Sequence, residues 1–407
     1  MTATTANETV QPRSETVVAD SDLLVVSHQY NSFVKSQVDE LSKYYNSVTV
    51  FARFNKIANI ANYLPIKRLR PFCSDVKIND EEEIPENVSV IPVPLIYFPL
   101  SFSRRRLGDK HANKVARIIE RRDIHFDIIH SHMTWTAGHV GNKLSKRYDV
   151  PHVLTVHENR EWLYDEIDSN NTKLQNVWRE ADSLIRVNRA DIPKLKEFSE
   201  HVEYIPNGFE VGRFEYVPTS EARAQLGIDD DETVLFSLGN LTERKGFQHA
   251  IEIIDRLSED CRYVIGGTGP MESKLRQKAK DNGLSEAMVL LGYVANEDLK
   301  YWMSAADVVV HPSYSESFGL VPLEALACGT PVVATRNGGS EEVIVSDDYG
   351  RLFDSPEQYA QFTEAVQSVL GQDWDSDILV RYAKNFTIPK ICGEIIELHC
   401  SLLNSHS

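Results

Sequence analysis

From Leu23 onward, short Val- and Ile-rich runs alternate with longer amphipathic stretches, the pattern of parallel strands joined by crossover helices and buried on both faces. The first half predicts strands at Leu23–Ser27, Ser47–Phe51, Ser89–Pro92, Ile128–Ser131, His152–Val156, Ser183–Val187 and Val202–Ile205. The second half predicts strands at Thr233–Leu238, Tyr263–Gly266, Val289–Leu291, Val308–His311 and Pro331–Ala334. Helices are expected near Gly246–Leu257, Met271–Asn282, Asn296–Ala305, Pro322–Ala327 and Gln358–Leu370. A turn-rich break at Ile205-Pro-Asn-Gly-Phe, followed by the polar Val217-Pro-Thr-Ser-Glu, separates two runs of such units. The fold class is therefore α/β, with two doubly wound Rossmann-like domains facing across a cleft. The expected boundaries are a tail over 1–20, a first domain over 21–207, a second over 208–385, and a C-terminal helix over 386–407 packing back on the first domain. Ligands of open parallel sheets bind outside the carboxyl ends of the strands, so two facing sheets offer a place for two substrates, as a transferase needs.

Length agrees with this division, since 407 residues at about 150 per domain suggest two domains. With 42% hydrophobic and 25% charged residues the chain is an ordinary globular protein, not a disordered one. Sixty acidic residues against 43 basic ones, a net charge of −17, argue against broad nucleic-acid binding. Charge is nevertheless segregated: residues 53–122 hold 14 Lys/Arg against 8 Asp/Glu, with Arg104, Arg105 and Arg106 in a row beside Leu95-Ile-Tyr-Phe-Pro-Leu-Ser-Phe. The five cysteines form no C-x-x-C pair, which excludes a zinc ribbon or a thioredoxin-like motif and fits a reducing compartment. Met1–Asp20 lacks the basic start and apolar run of a secretory signal and reads as a disordered tail. The uncharged stretch Val88–Phe102, 15 residues, contains three prolines. That is short of the roughly 20 apolar residues that span a bilayer.

The most informative stretch runs from His311-Pro-Ser-Tyr-Ser-Glu-Ser-Phe-Gly-Leu through Val-Pro-Leu-Glu-Ala-Leu-Ala-Cys-Gly-Thr to Pro331-Val-Val-Ala-Thr, and predicts strand, loop, helix, turn and strand. Ser317, Gly319 and Leu320 fall where the loop enters the helix, and exposed N–H groups at a positive helix end suit a phosphate. Glu316 lies in the loop and Glu324 on the helix, eight positions on, placed to touch different parts of one elongated ligand. Read singly, each is equally a solvated carboxylate.

As one string these residues resemble the Glu-x7-Glu signature of the retaining family-4 glycosyltransferases, which have the two-domain GT-B fold. The resemblance implies that Glu316 lies beside the donor sugar and that Glu324 bonds the ribose, with the amides of Phe318, Gly319 and Leu320 holding sugar and diphosphate. Gly239-Asn-Leu-Thr-Glu-Arg-Lys-Gly-Phe resembles the family loop that presents Arg244 and Lys245 to the diphosphate. Two adjacent cations can neutralise the charge on a departing diphosphate, a task other enzymes give to a metal. Lys245 is followed by Gly246, so this is no P-loop. Gly266-Gly-Thr-Gly-Pro is similar to the family's glycine turn, with Gly267 and Gly269 letting a ligand approach the backbone. Leu290-Leu-Gly-Tyr-Val resembles the segment that meets the nucleobase, which implies base contacts for Tyr293 and Val294 against the alternative of a strand end packed in the core.

In the first half, Asp127-Ile-Ile-His-Ser-His and Val153-Leu-Thr-Val-His-Glu resemble the family's paired strand ends, and His157 takes the place near the donor sugar. Glu161, not a histidine, stands four places after His157, so no zincin motif is present and no metal site is expected. After the first strand the chain departs from the family's Gly-Gly loop, reading His28-Gln-Tyr-Asn-Ser-Phe-Val, and Glu210 stands where Asp is usual.

The implied activity is metal-independent, retaining transfer of a sugar from a nucleoside-diphosphate sugar to a hydroxyl of a glycan or lipid-linked acceptor, with no cofactor. Catalysis falls to Glu316, His157, Arg244 and Lys245, and donor binding to Glu324, Ser317, Phe318, Gly319, Leu320, Gly267, Gly269, Tyr293 and Val294. A nucleotide-sugar epimerase of the same architecture, or a non-enzymatic sugar-nucleotide-binding protein, are the alternatives. The expected location is cytoplasmic. Residues 95–122 suit contact with the inner membrane face or a lipid phosphate, against the plainer reading of a solvated helix over Lys110–Arg122.

Overall fold

A computed structural model of the chain describes residues 18–62, 72–78, 83–97, 101–169, 171–254, 256–257 and 261–406. The expected tail therefore lies outside the described residues up to residue 17, as do the side chains of Arg104, Arg105 and Arg106.

Two parallel sheets form the frame. The first contains β1 (Asp22–Ser27), β2 (Ser47–Asn55), β3 (Val88–Leu95), β4 (Ile128–His132), β5 (His152–Val156), β6 (Ser183–Arg186) and β7 (Val202–Tyr204), in the order β3-β2-β1-β4-β5-β6-β7. The second contains β8 (Thr233–Leu238), β9 (Cys261–Gly266), β10 (Met288–Gly292), β11 (Val308–His311), β12 (Val332–Thr335) and β13 (Gly350–Phe353), in the order β10-β9-β8-β11-β12-β13. Each sheet is built outward from a central pair, β1/β4 and β8/β11, at which the winding reverses; this switch point is where doubly wound sheets bind ligands. The strands are apolar along their whole length because helices cover both faces: β4, β5 and β6 are buried at every position.

The strand β13 was not expected, since Gly350-Arg-Leu-Phe is short and half polar; pairing with Val332–Thr335 at the sheet edge supplies what its own pattern lacks. The helix expected at Pro322–Ala327 begins at Leu320, which seats Pro322 in the first turn, where its missing N–H leaves no bond unmade. The basic helix runs over Ser101–Arg122, longer than the Lys110–Arg122 reading, and buries Leu107, Val115 and Ile119 against the first sheet. It is one of that sheet's covering helices.

The chain crosses between the sheets twice, side by side. Phe209 N–H donates to Phe386 O at 2.9 Å, and Ile388 N–H donates to Phe209 O at 3.0 Å. The helix Ile388–His406 then returns to the first sheet, where Ile391, Ile395 and Ile396 join Val25, Val34 and Val38 in one core. Among the described residues no helix is long and apolar enough to cross a membrane.

Candidate active site

In the second sheet the loops after β8 and β11 leave the switch point together. Glu243–Lys245 forms a single 3-10 turn, and Gly246 closes it at φ +69°, in the left-handed region. A Cβ on Gly246 would stand 1.9 Å from Pro312 O, so only glycine lets the two loops touch there. Gly267, at φ +137°, does the same one strand over, where a Cβ would lie 1.9 Å from Gly239 O. Gly269 abuts Leu241. These two glycines of the turn after β9 thus press against the loop that carries Arg244 and Lys245 and hold its path.

That packing delivers both cations to one carboxylate. Glu316 Oε1 accepts from Lys245 Nζ at 2.7 Å and from Ser313 Oγ at 2.7 Å, and lies 3.0 Å from a guanidinium nitrogen of Arg244. His311 Nε2 is 3.5 Å away. Burial by itself would raise the Glu316 carboxyl, but Lys245, His311 and Arg244 outweigh it and hold the group well below the usual carboxylate range. Burial pulls His311 down, which leaves it neutral. Two full positive charges therefore share one negative charge, and the surplus faces the cleft.

The helix Leu320–Ala327 starts directly beyond. Ser317 is partly exposed, whereas Phe318 turns its ring into the core of the second domain and leaves only its backbone to the loop. Among the described residues no acceptor takes the N–H of Ser317, Phe318 or Gly319. Glu324, on the same helix, is pushed up to about 8 by burial, although part of its side chain reaches the surface; Arg213 and Lys245 oppose that rise and Glu210 adds to it. The charge of Lys245 thus acts on both glutamates. Tyr293 is 77% exposed, so it is not a core residue, while Val294 packs against the second core.

The facing side comes from the first domain. His157 follows β5 and its Nε2 lies 3.0 Å from Nδ1 of His132, with the Phe33 ring edge-on at 5.1 Å. Burial, then the neighbouring His132 and Arg186, hold His157 well below the usual imidazole range, so the ring is neutral. The Asn188 side chain donates to Gly338 O, Arg189 N–H to Glu342 Oε1 at 2.8 Å, and Ser36 Oγ to Glu210 Oε2 at 3.0 Å, so the two halves meet around the site. A cavity of about 1320 Å³ lies between them, lined by Arg160 and Trp162 on one side and by Asn240, Arg244, Tyr314 and Asn337 on the other.

Lys245, Arg244 and Glu316 are in direct contact, Glu324 is tied to them through the field of Lys245, and His157 comes from the opposite domain. Sequence reasoning did not single out Ser313, His311, His132 or Phe33. Ser313 and His311 flank Glu316 in the same string, and position alone was their signal. His132 closes the Asp127-Ile-Ile-His-Ser-His strand end and Phe33 lies in the loop string after β1, but only the parallel pairing of β4 with β5 brings His132 against Thr155 and hence beside His157.

Comparison with known proteins gives the same picture. Residues 57–213 match the family described as "Glycosyltransferase Family 4", and residues 218–386 match "Glycosyl transferases group 1". An uncharacterized glycosyltransferase, MJ1607, of Methanocaldococcus jannaschii is 30% identical over 61% of this chain and 67% of its own length. A D-inositol 3-phosphate glycosyltransferase of Pseudarthrobacter chlorophenolicus is 34% identical over 58% of this chain, and the match spans 61% of that relative, less than two thirds. Among solved structures, HepE of Anabaena in complex with UDP-glucose superposes with a TM-score of 0.69 at 20% identity, covering 94% of this chain and all of that one.

Proposed function

The chain belongs to the GT-B glycosyltransferases, and from that premise we propose that it transfers a sugar, with retention and without metal, from a nucleoside-diphosphate sugar to an acceptor hydroxyl in the cleft. The observation that carries this reading is the clamp on Glu316: Lys245 at 2.7 Å and Arg244 at 3.0 Å leave one positive charge in excess beside a helix entrance with free amides. An anion is what such a place stabilises, and a departing diphosphate brings two or more negative charges.

In this reading Arg244, Lys245 and the amides of Phe318, Gly319 and Leu320 take up charge as the bond from the sugar's anomeric carbon to the diphosphate breaks. Glu316 and the neutral His157 orient the sugar. Glu324, protonated at neutral pH, offers a hydrogen to the ribose, and Tyr293 and Val294 meet the base. Because the first domain presents no ionised base at His157, the proton of the acceptor hydroxyl passes to the departing diphosphate oxygen on the same face, which preserves configuration. The UDP-glucose held by HepE, a protein of the same fold, makes a uridine donor the first to try. Residues 95–122 remain the proposed contact with a glycan-bearing membrane at the cytoplasmic face.

Thermal-shift screening with UDP, GDP and ADP sugars tests the donor half, because a ligand that binds only the folded state raises its apparent stability. Product analysis then separates transfer from epimerisation. A glycosylated acceptor with retained configuration, unaffected by EDTA, is the expected result. A donor changed without any acceptor, or activity extinguished by chelation, overturns the reading.

A further inference from the structure

We propose that His132 is a positioning residue for His157: its Nδ1 accepts the Nε2 hydrogen of His157, which leaves His157 Nδ1 as a bare acceptor for a hydroxyl of the donor sugar. The inference deepens the donor reading above and rests on it. The two-residue period of a strand assembles the pair. β4 and β5 run parallel, with His130 beside Val153 and His132 beside Thr155. Side chains two apart on a strand share a face, so Thr155, and His157 beyond it, follow the face that carries His130 and His132.

His132 is held between two other imidazoles. The His130 ring stacks on it with 4.5 Å between centres, and His130 Nε2 lies 2.7 Å from Thr155 Oγ1. His399, on the helix Ile388–His406, meets the His130 ring edge-on at 5.1 Å, and its Nδ1 is 2.7 Å from the Tyr45 hydroxyl. On the other side the His132 and His157 rings are inclined by only 13°, with Nδ1 of His132 at 3.0 Å from Nε2 of His157. His132 is buried, whereas His157 is only partly so. Burial pulls His132 down to about 4, so both rings of the pair are neutral near pH 7.

A neutral imidazole has one N–H and one lone pair, so a bond between two such rings takes the hydrogen of one and the lone pair of the other. The second nitrogen of each ring is thereby fixed in the opposite character. Among the described residues no hydrogen-bond partner meets His157 Nδ1. Free neutral histidine favours the Nε2–H tautomer, and one arrangement gives that form to both rings: His157 donates from Nε2 and His132 accepts at Nδ1. The reverse arrangement forces both into the rarer Nδ1–H form. His157 then presents a lone pair at Nδ1, which takes a hydrogen from a sugar hydroxyl and so orients the sugar. A carboxylate in place of His132 would also fix the tautomer but would favour the charged imidazolium; a second buried imidazole fixes it and keeps the ring neutral.

The test uses the full chain labelled with nitrogen-15 at histidine and read by two-bond proton–nitrogen NMR correlations, with His157→Gln assigning the signal. Without ligand, His157 should carry its hydrogen on Nε2 and none on Nδ1. His132→Phe keeps an aromatic ring in the stack but has no acceptor, and should let His157 exchange between tautomers. His132→Asn, whose Oδ1 takes the place of the ring Nδ1, should restore the native pattern. Calorimetric titration then compares UDP-glucose with UDP. His132→Phe should weaken UDP-glucose about five- to tenfold, as loss of one hydrogen bond does, while His132→Asn recovers it. UDP affinity should stay unchanged in every sample, which shows that the fold persists. A hydrogen on Nδ1 of His157 in the wild-type chain, a tautomer indifferent to His132→Phe, or no recovery in His132→Asn overturns the inference and leaves the donor reading intact. If His132→Phe does not fold, the wild-type spectrum and His132→Asn decide. Failure of the wild-type chain to bind either nucleotide strikes the donor reading and the sugar contact with it, whereas the ligand-free spectra judge the imidazole pair separately.

Discussion

At the carboxyl ends of β8 and β11, two cations are anchored on one carboxylate: Glu316 is gripped by Lys245, Arg244 and Ser313 within 3.0 Å. Beyond the carboxyl ends of β1 and β5, in a sheet wound in the same order, the imidazoles of His28 and His157 are neutral. The same frame thus carries two electrostatic designs. A preformed clamp costs no reorganisation when charge develops and suits a ligand part that does not vary, a diphosphate. A half lined by neutral rings leaves its charge balance to whatever binds there.

The sharpest way to break this comparison is to disarm each side in turn. Lys245→Ala should lower turnover by ~10²–10³-fold, as loss of a preorganised charge-stabilising donor does. His157→Ala should cost less, about 10–100-fold, if the neutral imidazole serves, as proposed, only to orient the sugar. Circular dichroism melts should show both variants folded, and steady-state rates with a saturating donor decide the order. A His157 variant weaker than the Lys245 variant would reverse the assignment of roles.

Next in size is rigidity. Gly246→Ala places a Cβ 1.9 Å from Pro312 O at φ +69°, whereas Gly227→Ala at φ +67° meets open space. Urea unfolding should show a loss of ~3 kcal/mol for the first and ~1 kcal/mol for the second, since both strain the backbone but only one also clashes. Equal losses would mean that the loops of the second domain are not locked together.

The smallest effect concerns pH. The folded state raises the Glu324 carboxyl to about 8, above its unfolded value, so the folded chain binds more protons between the ordinary carboxylate range and about 8. The stability it contributes is whole below that window and lost as pH rises through it. Melting temperatures should therefore fall across this window, and Glu324→Gln should fall less steeply. A parallel profile would show that Glu324 is already ionised at neutral pH.

Much of this was legible before any coordinates. Twelve of the strands lie where apolar runs placed them, because a strand buried on both faces must be apolar along its length; β13 escaped because an edge strand need not be. The Glu316 to Glu324 string carried its own loop and helix signals. The partners of Glu316 were another matter: Arg244 and Lys245 lie 71 or more positions away, and only the adjacency of β8 and β11 joins them.

What the chain's order of residues determined by itself was local: where strands and helices form, which loops enter helices, and which side chains have the chemistry to meet a nucleotide sugar. The charge state of those side chains was decided only by the tertiary structure. Glu316 is ionised because β11 lies beside β8, Glu324 is raised because its helix is buried, and His157 is kept neutral because it is buried beside His132. Protonation depends on distance and on access to water, and neither exists until the two sheets have folded.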